Sequence, residues 1–201
     1  MSLTRPQFER ACKLLLEGDD SCTPWSWKSH QAFQHLGYLE RTVSIPVKSP
    51  GNPLDETVEI LVEEDDSAAV NSSPNFLSWD QYIVYSPSFG VPAFYFIVWD
   101  QQGVQLTLDQ LLQSGVFRFD SSTKLDKTPF GVSEPGSAFP LLSQGDHPVL
   151  GIRCWHFHPC ESSTAVDELV NDVIIPTASE DDRLRCWMEM WFLVLGSAVN
   201  F

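Results

Sequence analysis

Apolar residues Phe8, Ala11, Cys12, Leu15 and Leu16 recur at the i, i+3, i+4 spacing of one helix face. They predict a helix over 6–17, with Pro6 in its first turn and Gly18 closing it. Trp25 and Trp27 follow, and residues 38–48 read as extended through Tyr38, Arg41, Val43, Ile45 and Val47. Pro50, Gly51, Asn52 and Pro53 mark a turn, and Thr57 to Val62 is the expected hairpin partner. A third strand over 80–86 sets Tyr82 and Val84 on one face, Ile83 and Tyr85 on the other. Residues 93–99 are apolar on both faces, which predicts a central strand. Asp100 to Gly103 turns the chain, and Thr107 caps a short helix over 108–113. Residues 120–148 are rich in Pro, Gly and Ser and read as irregular, and an extended segment then runs from Pro148 through Phe157. Thr164 with Asp167, and Ser179 with Asp182, have capping-box spacing and open two helices, the first reaching about Asn171. In the second, Leu184, Trp187, Met188, Trp191, Leu195 and Val199 form an apolar stripe. The expected architecture is α+β, a four-stranded antiparallel meander sheet flanked by helices, in a single domain over 1–201. Loops are expected near 63–75, which begins Glu63-Glu64-Asp65-Asp66, and near 120–146.

Composition narrows the function classes. Twelve Lys and Arg against 27 Asp and Glu give a net charge of −15. A phosphate backbone or an anionic membrane needs a basic face, so neither is an expected partner. Hydrophobic residues at 43% and aromatics at 12% suffice for a packed core. The longest apolar stretches, 91–99 and 187–199, do not read as membrane spans, and the first ten residues lack an apolar signal core. A cytoplasmic location is the expectation. Five cysteines, an odd number without a C-x-x-C pair, argue against a disulfide framework and a structural zinc site. No cofactor is implied.

The segment Cys154-Trp155-His156-Phe157-His158-Pro159-Cys160-Glu161-Ser162-Ser163 is the richest in chemistry. On a strand, His156 and His158 share one face, Trp155 and Phe157 the other. Pro159 stops the ladder, so Cys160 emerges in a loop just before a helix, where a partner can reach its thiol. Glu161 beside it sets a thiol that is available but not strongly activated. The residues alone leave several roles open. Cys160 is an acyl-carrying thiol, a hydrolytic nucleophile paired with His156, His158, His147, His30 or His35, a metal ligand with His156 and His158, or a buried loop cysteine.

The order of motifs resembles the autophagy-related protein 10 family, E2-like enzymes that conjugate a ubiquitin-like modifier. Carrying the resemblance are Phe8 and Cys12, Trp25-Ser26-Trp27-Lys28, Gly37-Tyr38, Val84-Tyr85-Ser86, Val91-Pro92 and Tyr95-Phe96. Gly103, Leu106-Thr107-Leu108, His147-Pro148-Val149-Leu150-Gly151, His158-Pro159-Cys160, Trp191, Leu195-Gly196 and Val199 continue it. The resemblance implies an E2-like fold in which Cys160 accepts autophagy-related protein 12, the modifier, from autophagy-related E1-like enzyme 7 as a thioester. Transfer to a lysine of autophagy-related protein 5 follows. His158 is implied to hold the loop or polarise the thioester, and Tyr85 to orient the acceptor lysine. Two departures stand out: His-Pro runs straight into Cys160 with no His-Pro-Asn turn before it, and the 120–146 loop is unlike the family. Two alternatives accompany this expectation. One is the sibling enzyme that conjugates such a modifier to lipid, which liposome flotation discriminates. The other is a non-catalytic E2-like scaffold, which an unreactive Cys160 would support.

Overall fold

In a computed structural model the described residues are 2–17, 24–33, 36–46, 76–118, 124–136, 141–160, 162–173 and 178–200. The expected strand at Thr57 to Val62, the loop at 63–75 and the cap at Gly18 lie outside them.

Helix α1 (Arg5–Leu16) opens on Thr4, whose hydroxyl accepts from Gln7 N while the Gln7 side chain accepts from Thr4 N. That reciprocal pairing satisfies two donors that a helix start otherwise leaves bare. Strands β1 (Ser26–Ser29), β2 (Gly37–Pro46), β3 (Phe76–Ser86) and β4 (Val91–Trp99) form an antiparallel meander. Helix α2 (Leu108–Gln113) begins at Thr107 with a second capping box. Next come β5 (Asp126–Thr128), β6 (Gly131–Ser133), β7 (Leu142–Asp146) and β8 (Arg153–Phe157), a second antiparallel meander. Its last strand docks on β4 through Tyr95 opposite His156 and Phe96 opposite Trp155. The sheet therefore runs β1-β2-β3-β4-β8-β7-β6-β5. Helices α3 (Ser162–Val173) and α4 (Glu180–Gly196) end the chain, and α4 packs against both α1 and α3.

The α+β class and the antiparallel sheet hold, but among the described residues the sheet has eight strands where four were expected. The supposedly irregular stretch 120–146 supplies three of them. These are short, and two contain glycines, so no period of two is visible in them; pairing with neighbours makes them strands. The partner of β2 on one side is β1, which contains Trp27, and Gly37 is needed there because the Trp27 ring lies where a Cβ would sit. Thr164 is not a cap: α3 already begins at Ser162, and Asp167 accepts from Trp187 Nε1 at 3.2 Å, tying α3 to α4.

The alternation on β3 holds. Trp79, Ile83 and Tyr85 face the helices, with Phe8, Phe94, Phe96, Trp155, Trp187 and Trp191 in one core. Tyr82 and Val84 face the other way with Tyr38, Ile97 and Cys154. Fully burying one such large side chain is worth roughly 2–3 kcal/mol. Among the described residues no helix is long and apolar enough to cross a membrane.

Candidate active site

β8 ends at Phe157, while β4 continues beyond the β8 pairing as Phe94, Ala93 and Pro92. Extending the register past Tyr95 and His156 sets residues 158–159 beside 92–93. Pro92 has no N–H to offer a ladder there. The chain peels away, held on its other side by His158 N donating to Leu141 O at 3.2 Å.

The peeled segment closes into a turn. Cys160 N–H donates to His158 Nδ1 at 3.3 Å. Ser162 donates twice to Pro159 O, from N at 3.4 Å and from Oγ at 2.8 Å, and α3 starts at that serine. Cys160 thus stands between the end of β8 and the start of α3, with its residue partly exposed.

The same device recurs twice. His147 Nδ1 accepts from Val149 N at 3.1 Å and Leu150 N at 3.0 Å. His30 Nδ1 accepts from Ala32 N and Phe33 N, both at 3.1 Å. Each imidazole does what an Asn or Asp side chain does in an Asx turn: all three take the N–H two residues on, and His147 and His30 also take the one three residues on. An accepting Nδ1 carries no hydrogen, so the neutral His158 ring has its hydrogen on Nε2.

His158 does not share the face of His156. The strand alternation ends at Phe157, and His158 lines an apolar cavity on the helix side with Phe94, Phe157, Pro159, Ser162 and Trp191. That cavity holds about 220 Å³. The His158 and Phe89 rings meet edge to face, with centroids 5.2 Å apart. His156 stacks on Tyr95 at 5.0 Å. Burial, and then the neighbouring His158, hold its imidazole below the ordinary value. Among the described residues no group of three or more His, Cys, Asp or Glu is placed to hold a metal ion.

His147 lies at the opposite end of β8 from Cys160, buried against Tyr38, Tyr82 and Tyr95. Burial pushes its imidazole down to about 4. It therefore serves the second core, and His30 serves the turn after β1. His35 lies outside the described residues.

Tyr85 packs on Phe8 and under Arg5, and its hydroxyl donates to Leu3 O at 2.8 Å. It faces the first helix, where it secures the N-terminal segment.

The other described cysteines have thiols raised above the ordinary value. Cys12 is buried and its thiol is driven well up by that burial. Burial, then Asp146 and Asp80, push the Cys154 thiol up to about 12. Burial also raises the Cys186 thiol, with Glu189 adding to it. Phe89 and Leu141 escaped the sequence reading and left no trace in it, whereas Ser162 belongs to the richest segment, a serine of the kind that favours helix starts and turns, three after Pro159.

A family model described as autophagocytosis associated protein, active-site domain, matches residues 7–201. No curated protein matches the chain.

Proposed function

The chain belongs to the family of the autophagocytosis-associated active-site domain, that of the E2-like conjugating enzymes of autophagy, and on that footing we propose that Cys160 is its thioester-forming cysteine. The single observation that carries this is Cys160, a partly exposed residue in a turn closed by His158. The Cys160 thiolate attacks the carbonyl carbon of the modifier's C-terminal residue, held on the cysteine of an E1-like enzyme. The new C–S bond forms as the old one breaks, and the E1 cysteine leaves as thiolate. An acceptor lysine amine then attacks the same carbon, an amide forms and Cys160 departs. The amine's proton goes to solvent.

Following the resemblance, the modifier is autophagy-related protein 12, the donor autophagy-related E1-like enzyme 7 and the acceptor a lysine of autophagy-related protein 5. Aminolysis requires an acyl carbon that both donor and acceptor can reach, and the partial exposure of Cys160 is in keeping with that. His158 acts by holding the loop: the nitrogen nearest Cys160 is an acceptor, so it fixes the backbone there. Tyr85 acts through Leu3 and the first helix.

Mixing the chain with the E1, the modifier and ATP should give an adduct that reducing agent removes. The adduct should be absent in Cys160→Ala and persist as a more stable ester in Cys160→Ser. An adduct on the Cys160→Ala chain would overturn the assignment. Adding the acceptor protein or lipid vesicles to the charged enzyme decides between protein and lipid transfer.

A further inference from the structure

We propose that Phe89 is a positioning residue for Cys160, acting through the His158 ring. The inference rests on Cys160 being the thioester cysteine. Phe89 sits on the turn between β3 and β4 and is 40% exposed, so core burial does not account for a large apolar residue there. Its ring meets His158 edge to face, at 5.2 Å and 77°. The turn that carries it is fixed from several sides. Gly90 N donates to Ser86 O at 2.8 Å, and Leu3 N donates to Gly90 O at 2.7 Å. The Tyr85 hydroxyl holds Leu3 O at 2.8 Å. Gly90 has φ +65°, and a Cβ there would come 2.8 Å from Ser2 Cβ, so only glycine lets the N-terminal segment lie this close.

His158 reaches the Cys160 amide only in one of the two flips of its ring. Turning the ring over would remove Nδ1 from Cys160 N–H and leave that donor without this acceptor. An edge-to-face contact restrains the plane of the imidazole, and only near that plane can Nδ1 face the Cys160 N–H. Phe89, fixed by the turn, supplies that contact. A continuous set of contacts therefore runs from Leu3 and Tyr85 through the β3–β4 turn to Phe89, His158 and the peptide of Cys160.

The test uses the full chain with Phe89→Ala, Phe89→Leu and Phe89→Tyr, beside wild type. Nitrogen-15 spectra of the His158 imidazole report which nitrogen accepts, and single-turnover assays read charging from the E1 and discharge to amine separately. Phe89→Ala should shift or broaden the His158 Nδ1 signal and slow discharge roughly 3- to 10-fold, with charging nearly unchanged. Phe89→Tyr, which keeps the ring edge, should restore both. Phe89→Leu keeps the bulk and loses the edge, so it should resemble Phe89→Ala even if the latter folds poorly. Unchanged His158 spectra in Phe89→Ala and Phe89→Leu would overturn the proposal. So would losses in Phe89→Tyr equal to those in Phe89→Ala. If wild type forms no adduct at Cys160, the functional reading fails, and the imidazole spectra still decide whether Phe89 positions His158.

Discussion

At Cys160 the peptide N–H is held by an imidazole two residues earlier in the chain. An Asn side chain supplies an acceptor at the same place in an Asx turn. His158→Asn should therefore discharge within about 2-fold of wild type, while His158→Ala, which leaves the amide without that acceptor, should discharge roughly 3- to 10-fold more slowly. Single-turnover discharge of the charged enzyme checks both. Loss of activity in His158→Asn equal to that in His158→Ala would show that imidazole chemistry matters beyond the turn. At His147 the same acceptor geometry sits in a buried aromatic setting, and the imidazole has a folded-state value of about 4 against an ordinary 6.5. Between those values the unfolded chain binds a proton that the folded chain refuses. The stability is full above pH about 6.5 and falls as pH drops towards about 4, by roughly 3 kcal/mol from this group. Urea unfolding across that window should show the loss, and His147→Asn, which keeps an acceptor but does not titrate, should lack that part of it.

Elements here are set at their ends as much as along their faces. Ser179 opens α4 with its hydroxyl accepting from Asp182 N at 3.2 Å, while the Asp182 carboxylate accepts from the Ser179 hydroxyl at 2.7 Å. Those contacts hold the Asp182 carboxyl below its usual range. Ser179→Ala removes the cap and should cost about 1 kcal/mol of stability by denaturant unfolding. The cap at Thr107 and the capping box at Ser179 were legible because their partners lie three residues away, yet Thr164 with Asp167 has that spacing and opens no helix. The box at Thr4 has the same spacing, with Pro6 in the first turn of the helix it opens. Strands β5, β6 and β7 were not legible. Their residues are polar, short-run and interrupted by glycine, and they are strands because β8 offers β7 an edge, and β7 and β6 offer the next.

Over the whole chain, a net charge of −15 sets up a repulsion that the folded state must withstand. Salt shortens the reach of that repulsion, so the thermal midpoint should rise by about 2–4 °C between about 0.02 and 0.3 M salt. A calorimetric scan in each buffer checks this, and a falling midpoint would show that attractive pairs such as Arg10 with Asp181 outweigh the repulsion.

The order of apolar and polar residues determined α1, α2, α4, the central place of β4, the two faces of β3 and the candidate thiol at Cys160, because each of these is written in residues a few positions apart. What only the tertiary structure decided needs atoms distant along the chain. It joined β8 to β4 and so placed the His158-Pro159-Cys160 turn beside Pro92. It buried Cys12 and Cys154 while leaving Cys160 partly exposed, committed Tyr85 to Leu3, and brought Phe89 onto His158. Local periodicity records which face a side chain leaves by; it carries no record of what that face will meet.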